Sequence, residues 1–228
     1  PLVEMFDFSL QHVREGVVLL VSLILSIAVH EFGHAFSADR LGDRLPRSQG
    51  RVTLNPFVHA DPIGTLAFPL IGHFVFGGML FGWGRPVMVN PVAFNRRLRM
   101  KTAHAIVAFA GPLMNVLLAV LVTLLLTVLW ATGIVTPESE LSRGIVMVIQ
   151  LNWVLFFFNL IPTPPLDGGA VLAWMLPDRH ERVMDTLQQY GFVILLLLLV
   201  SGVLGPYFRF TALPMTELFL GFAWAVAY

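Results

Sequence analysis

The sequence predicts a membrane all-α fold, a polytopic bundle of about six transmembrane segments with a short membrane-associated or re-entrant β element. Three observations carry that prediction. Of the 228 residues, 57% are hydrophobic, against roughly 45–50% in soluble domains. Only 12% are charged, about half the usual share. The apolar residues also gather into runs close to the roughly 20 residues that a bilayer crossing needs. The formal net charge is +0, which gives no reason to expect nucleic acid or an acidic partner. The chain has no cysteine. Disulfides, a thiol nucleophile and thiolate ligands are therefore excluded, and any metal must be held by His, Asp or Glu. The length suits one integral-membrane domain over residues 1–228, with a motif-bearing core at 16–176 and C-terminal helices at 186–228.

The first predicted span covers residues 16–38 and ends in His30-Glu31-Phe32-Gly33-His34. Glu4, Asp7 and Glu15 precede it against Arg14, and no small-residue cleavage site follows, so no cleavable signal peptide is expected. Residues 39–51 are polar and basic, with Arg40, Arg44, Arg47 and Arg51. Arg51-Val52-Thr53-Leu54 reads as a short strand stopped by Asn55-Pro56. Residues 62–83 are apolar but broken by Pro69 and glycines. Residues 85–101 form a second basic loop with Arg96, Arg97, Arg99 and Lys101. Basic loops favour the cytoplasmic side. Both basic loops can lie there only if 62–83 is a re-entrant hairpin rather than one crossing, which is the reading adopted.

A long apolar stretch at 103–132 is interrupted by Gly111-Pro112, a short loop follows at 137–142, and the next span is 144–160. Pro162-Thr163-Pro164-Pro165 cannot continue a helix. A charged loop at 178–185 leads to two last apolar segments, 192–204 and 212–228. Trp83, Trp130, Trp174 and Tyr228 sit where interfacial aromatics belong.

The chemistry starts from the first span. His30 and His34 stand at i and i+4, so both imidazoles leave one helix face and can share a metal ion. Glu31 follows His30, placed to reach a water on that metal. Ionisable groups in lipid are costly and mark function by default. A catalytic zinc takes three protein ligands and keeps an open position. Asp39 is near in sequence but falls in the polar loop. Asp167, in Asn159-Leu160-Ile161-Pro162-Thr163-Pro164-Pro165-Leu166-Asp167-Gly168-Gly169, follows a span. It reads either as a helix N-cap or as a carboxylate carried to the metal by an unwound segment, completing a His2Asp set that suits Zn2+.

Taken together, HEFGH in an apolar helix, Ala110-Gly111-Pro112-Leu113-Met114-Asn115 and NLIPTPPLDGG resemble the site-2 protease family of intramembrane zinc metalloproteases. Residues 50–56, 59–65 and 81–87 are similar to its compact prokaryotic branch, which has no PDZ domain. The resemblance implies one Zn2+ held by His30, His34 and Asp167, with Glu31 as general base. It implies Asn159 as a contact to the substrate backbone or oxyanion. The implied protein is a multi-pass prokaryotic cytoplasmic-membrane enzyme open toward the cytoplasm. It would cut transmembrane protein substrates within the lipid bilayer, in regulated intramembrane proteolysis. On this reading Arg51–Leu54 is an edge strand for an unwound substrate.

Other polar residues receive structural readings first. Asn115 and Asn152 are interhelical hydrogen-bond partners. His59 and Asp61 belong to turn chemistry or line the site. His73 is structural and His104 lies at the interface. Two competing functions remain open at this point. A transporter binding a metal as cargo would show internal symmetry, which the sequence lacks. An inactive scaffold would have no need of Glu31.

Overall fold

The computed structural model describes residues 9–76 and 82–228. It is helical: α1 is Leu10–Arg40, α2 Leu45–Ser48 and α3 Pro56–His59, followed by a π-helical turn Pro62–Ala67 that runs into α4, Phe68–Phe76. α5 is Met100–Ala131, α6 Glu140–Asn159, α7 Asp167–Met175, α8 Glu181–Val200, α9 Leu204–Phe210 and α10 Ala212–Ala227. Five described segments are long and apolar enough to cross a membrane: Leu10–Arg40, Met100–Ala131, Glu140–Asn159, Arg182–Val200 and Leu204–Ala227. The chain is a multi-pass membrane protein.

α1 shows how such a helix is patterned. Ser9 caps it by accepting the His12 N–H. Val17, Val21 and Leu25 are exposed on one face, while Ser22, Ser26 and His30 are buried on another. Both stripes recur every four residues, so apolar side chains face outward and polar ones inward. The serines satisfy themselves on their own helix, with Ser22 Oγ donating to Val18 O at 2.6 Å and Ser26 Oγ to Ser22 O at 2.7 Å. α1 packs closely on α5: a Cβ at Gly33 would lie 2.6 Å from Ala110 O. Pro112 sits inside α5 without ending it, as neighbouring helices permit within membranes. α5, α6 and α10 share a core of Ala119, Leu126, Trp130, Ile149, Trp153, Ala212 and Ala223. Trp130 is therefore a packing residue, donating to Ser142 Oγ at 3.2 Å, rather than an interfacial anchor.

Segment 62–83 supplies a returning hairpin rather than a sixth crossing. The Trp83 N–H donates to Gly64 O at 3.1 Å, and Thr65 Oγ1 donates to Trp83 O at 2.8 Å. Both ends of the segment thus meet; residues 77–81 lie outside the described residues. The basic loops share one end of the molecule. The Asn95 N–H donates to Leu41 O at 2.7 Å, and the Asn90 N–H to Asp43 Oδ2 at 2.6 Å.

The expected β element is corrected. No strand occurs among the described residues, and Arg51–Leu54 is a bend. Its backbone groups are consumed locally: Arg51 N–H on Pro46 O, Thr53 N–H on Arg51 O, and Thr53 O by His59 Nε2. The Arg51 guanidinium turns inward to Val58 O and Arg85 O. The backbone N–H groups of Arg51 and Thr53 and the Thr53 carbonyl are thus already engaged within the loop.

Asp39 is no metal ligand. It is buried, and Arg47 holds it in a bidentate pair at 2.8 and 2.7 Å, with Arg44 at 3.2 Å. Replacing Asp39 by Ala is expected to lower stability by about 1.5–3 kcal/mol. Arg44→Ala, losing one exposed contact, should cost less than about 1 kcal/mol. Unfolding in detergent measures both.

Candidate metal centre and cavity

α1 delivers His30 and His34 from one face, and the unwound segment after α6 delivers Asp167 from the other side. α7 begins at Asp167, and its N-cap position is Leu166. The Asp167 carboxylate is thus not the cap; it points back to the imidazoles. Its Oδ2 lies 3.3 Å from His30 Nε2 and 3.4 Å from His34 Nε2, and the two Nε2 atoms are 3.0 Å apart. Glycines permit this approach. A Cβ at Gly168 would lie 2.4 Å from the Leu160 and Ile161 carbonyls, and one at Gly111 would lie 2.3 Å from His34 Nε2 and 2.8 Å from His30 Nε2.

The protonation pattern decides what this cluster fits. His34 Nδ1 is 2.8 Å from Val107 O. A carbonyl only accepts, so Nδ1 carries a hydrogen, and in the neutral ring Nε2 then holds the lone pair. His30 Nδ1 donates to Asn115 Oδ1 at 2.7 Å, which leaves its Nε2 in the same state. Two lone pairs and a carboxylate oxygen therefore converge. Asp167 Oδ2 is buried without a hydrogen bond. Such a cluster asks for a cation. Tetrahedral zinc with bonds of about 2.0–2.2 Å needs ligand atoms roughly 3.3–3.6 Å apart, close to the spacing here. Among the described residues this is the group of His, Asp and Glu side chains that could hold a metal ion.

Glu31 lies beside the cluster, and its Oε2 accepts the Val87 N–H at 3.0 Å. Both border a cavity of about 1070 Å³. Its walls come from the extended segment 82–89, from α5 and α6, and from the apolar face of α8 with Phe192, Leu195, Leu196 and Leu199. Asn159 also borders it; Asn159 Nδ2 donates to Leu155 O at 2.9 Å.

The remaining polar residues divide. His59 and Asp61 serve turns: Asp61 Oδ1 accepts the Ile63 and Gly64 N–H groups, and His59 Nε2 meets Thr53 O. His73 is structural, bonded to His12 O at 2.9 Å and stacked on the His12 ring. His104 is exposed and also borders the cavity. Sequence reasoning missed His104 and the Val87 N–H. Only the helical step from His104 to Val107 and Gly111 on α5 signals the former, and no side chain signals the latter.

Comparison with known proteins places this geometry. Residues 18–138 and 134–199 match the model of Peptidase family M50. The chain is 38% identical over 192 residues to YwhC of Bacillus subtilis (strain 168), which carries the name of a zinc metalloprotease, spanning 83% of this chain and 82% of that one. Rip2 of Mycolicibacterium smegmatis, similarly named, is 30% identical over 199 residues, spanning 87% and 73%. Rip2 of Mycobacterium tuberculosis H37Rv is 31% identical over 195 residues, spanning 84% and 70%. No solved structure matches the chain significantly. These matches set the transporter reading aside. The chain belongs to Peptidase family M50, the site-2 protease family, and is a membrane zinc metalloprotease.

Proposed function

We propose that this protease is an intramembrane endopeptidase that cuts transmembrane segments of membrane proteins in regulated intramembrane proteolysis. The observation that carries this reading is the location of the cluster. His30 and His34 lie within an apolar helix fit to cross a membrane, beside a cavity with a largely apolar wall. An apolar substrate segment suits that wall. The basic loops favour the cytoplasmic side of the cell membrane, and on this reading the site is open toward the cytoplasm.

We assign His30, His34 and Asp167 as the ligands of one zinc ion. Bound there, zinc supplies Lewis acidity and lowers the pKa of a coordinated water from 15.7 to about 7. Glu31 acts as general base, taking a proton from the attacking water and giving it to the leaving amine. The Val87 N–H orients that carboxylate through Oε2. Asn159 spends one amide hydrogen on Leu155 O; the other remains for a substrate carbonyl as it gains charge. Losing one such donor typically costs about 100- to 1000-fold in rate. A low-dielectric surrounding strengthens each of these interactions. A helical substrate hides its amides in i to i−4 bonds, so it must unwind before attack.

Reconstitution in vesicles with a panel of single-span membrane proteins tests the reading, with products identified by mass spectrometry. Cuts inside the apolar segment are expected, and cuts confined to soluble flanks would contradict it. Glu31→Gln is expected to lower cleavage by about 100- to 10,000-fold while retaining zinc. Asp167→Asn is expected to weaken zinc binding by more than the roughly 10- to 100-fold typical of losing a residue behind a ligand. Gly111→Ala places a methyl against both imidazoles and should lower zinc affinity at least about tenfold. Gly221→Ala, with open space around it, should leave affinity unchanged. Chelator competition measures all of these affinities.

A further inference from the structure

We propose that Asn115 and Asn152 are positioning residues for the metal centre, linked in a hydrogen-bond chain whose polarity is set by the Val148 carbonyl and fixes the tautomer of His30. The proposal rests on His30 being a metal ligand and goes beyond that assignment. Asn115, Asn152 and Ser26 are all fully buried at 0% exposure, so each hydrogen bond must be made within the protein.

The direction of every bond follows from its end. The Asn152 amide is 2.8 Å from Val148 O, which can only accept, so the atom there is Nδ2. The same Nδ2 is 2.9 Å from Ser26 Oγ, whose own hydrogen is committed to Ser22 O at 2.7 Å. Two independent acceptors thus hold Asn152 in one orientation. Its Oδ1 must then face Asn115 at 2.8 Å, and only the Asn115 amide nitrogen can meet it. The backbone carbonyl of Ser26, 3.3 Å from the same nitrogen, enforces the same choice. Asn115 Oδ1 is left facing His30 Nδ1 at 2.7 Å, so Nδ1 must carry the hydrogen. His30 Nε2 then bears its lone pair toward His34 and Asp167.

The consequence of breaking the chain is specific. An Asn115 amide turned through 180° would present hydrogens to His30 Nδ1. The ring would move its hydrogen to Nε2, where it would occupy the place a metal needs. Polar residues between membrane helices often serve association alone. Here both amides are fully used, and the chain ends on the ring nitrogen of a proposed ligand. An association role requires no such end.

The test compares zinc affinity with stability in the full-length protein in detergent. Affinity is read by chelator competition, coordination by the visible spectrum of the Co2+-loaded protein, and stability by metal-free unfolding. Asn115→Leu, similar in volume, is expected to lose about 10- to 100-fold in affinity with a weakened tetrahedral Co2+ band. Asn115→Asp keeps an acceptor beside His30. It should hold zinc within about threefold of wild type, even where the buried charge lowers stability. Asn152→Leu touches no ligand and only frees the Asn115 amide. It should lose about three- to tenfold, and it carries the test if Asn115→Leu does not fold. The proposal is overturned if the leucine variants keep wild-type affinity and spectrum. It is equally overturned if Asn115→Leu and Asn115→Asp lose affinity alike, in step with stability. Wild-type protein that binds no metal would instead overturn the ligand assignment on which the proposal rests.

Discussion

Three electron-rich atoms are brought within 3.4 Å of one another inside a membrane protein, and much of the fold follows from that constraint. Two lone pairs and a carboxylate repel unless a cation lies among them. The protein holds them together with helix geometry, small residues and buried hydrogen bonds. α1 sets the imidazoles one turn apart. The crossing with α5 is close because Gly33 and Gly111 carry no side chain, and it brings the Val107 carbonyl to the back of His34 and Asn115 to the back of His30. The proline-rich segment after α6 lets Asp167 reach the pair from a different part of the chain.

The same layout separates polar from apolar work. α1 turns bulky side chains outward and a narrow polar stripe inward. The loops at the basic end are locked by Asp39 with Arg47, and by Asp43 with Asn90. The hairpin at 62–83 returns the chain to that end. The extended segment beyond it then passes Glu31, whose carboxylate it holds through a backbone N–H. The Glu31 carboxylate, the convergent His30–His34–Asp167 group and an apolar cavity wall thereby meet in one place.

Much of this was legible in the sequence, for physical reasons. The i, i+4 spacing of His30 and His34 fixes a shared face on any helix. The excess of prolines before Asp167 marked a segment that leaves helical geometry. Opposing demands of the two basic loops required 62–83 to turn back, and Trp83 does return to Gly64. The edge strand at Arg51–Leu54 failed because four residues with two β-branched side chains do not outweigh local turns and an inward arginine. The partnership of Asn115 with His30 spans 85 residues. Spacing carries no trace of it, whereas a polar residue deep in an apolar helix announces only that some partner exists.

The central claim is that α1 and the segment at Asp167 together hold a zinc ion. Elemental analysis of the detergent-purified protein, prepared without chelators and set beside His34→Ala, tests it most directly. The account predicts about one zinc per chain in the wild type, as for a single catalytic site, and its loss in the variant. A well-folded wild type without zinc, or a variant that keeps it, would contradict the account.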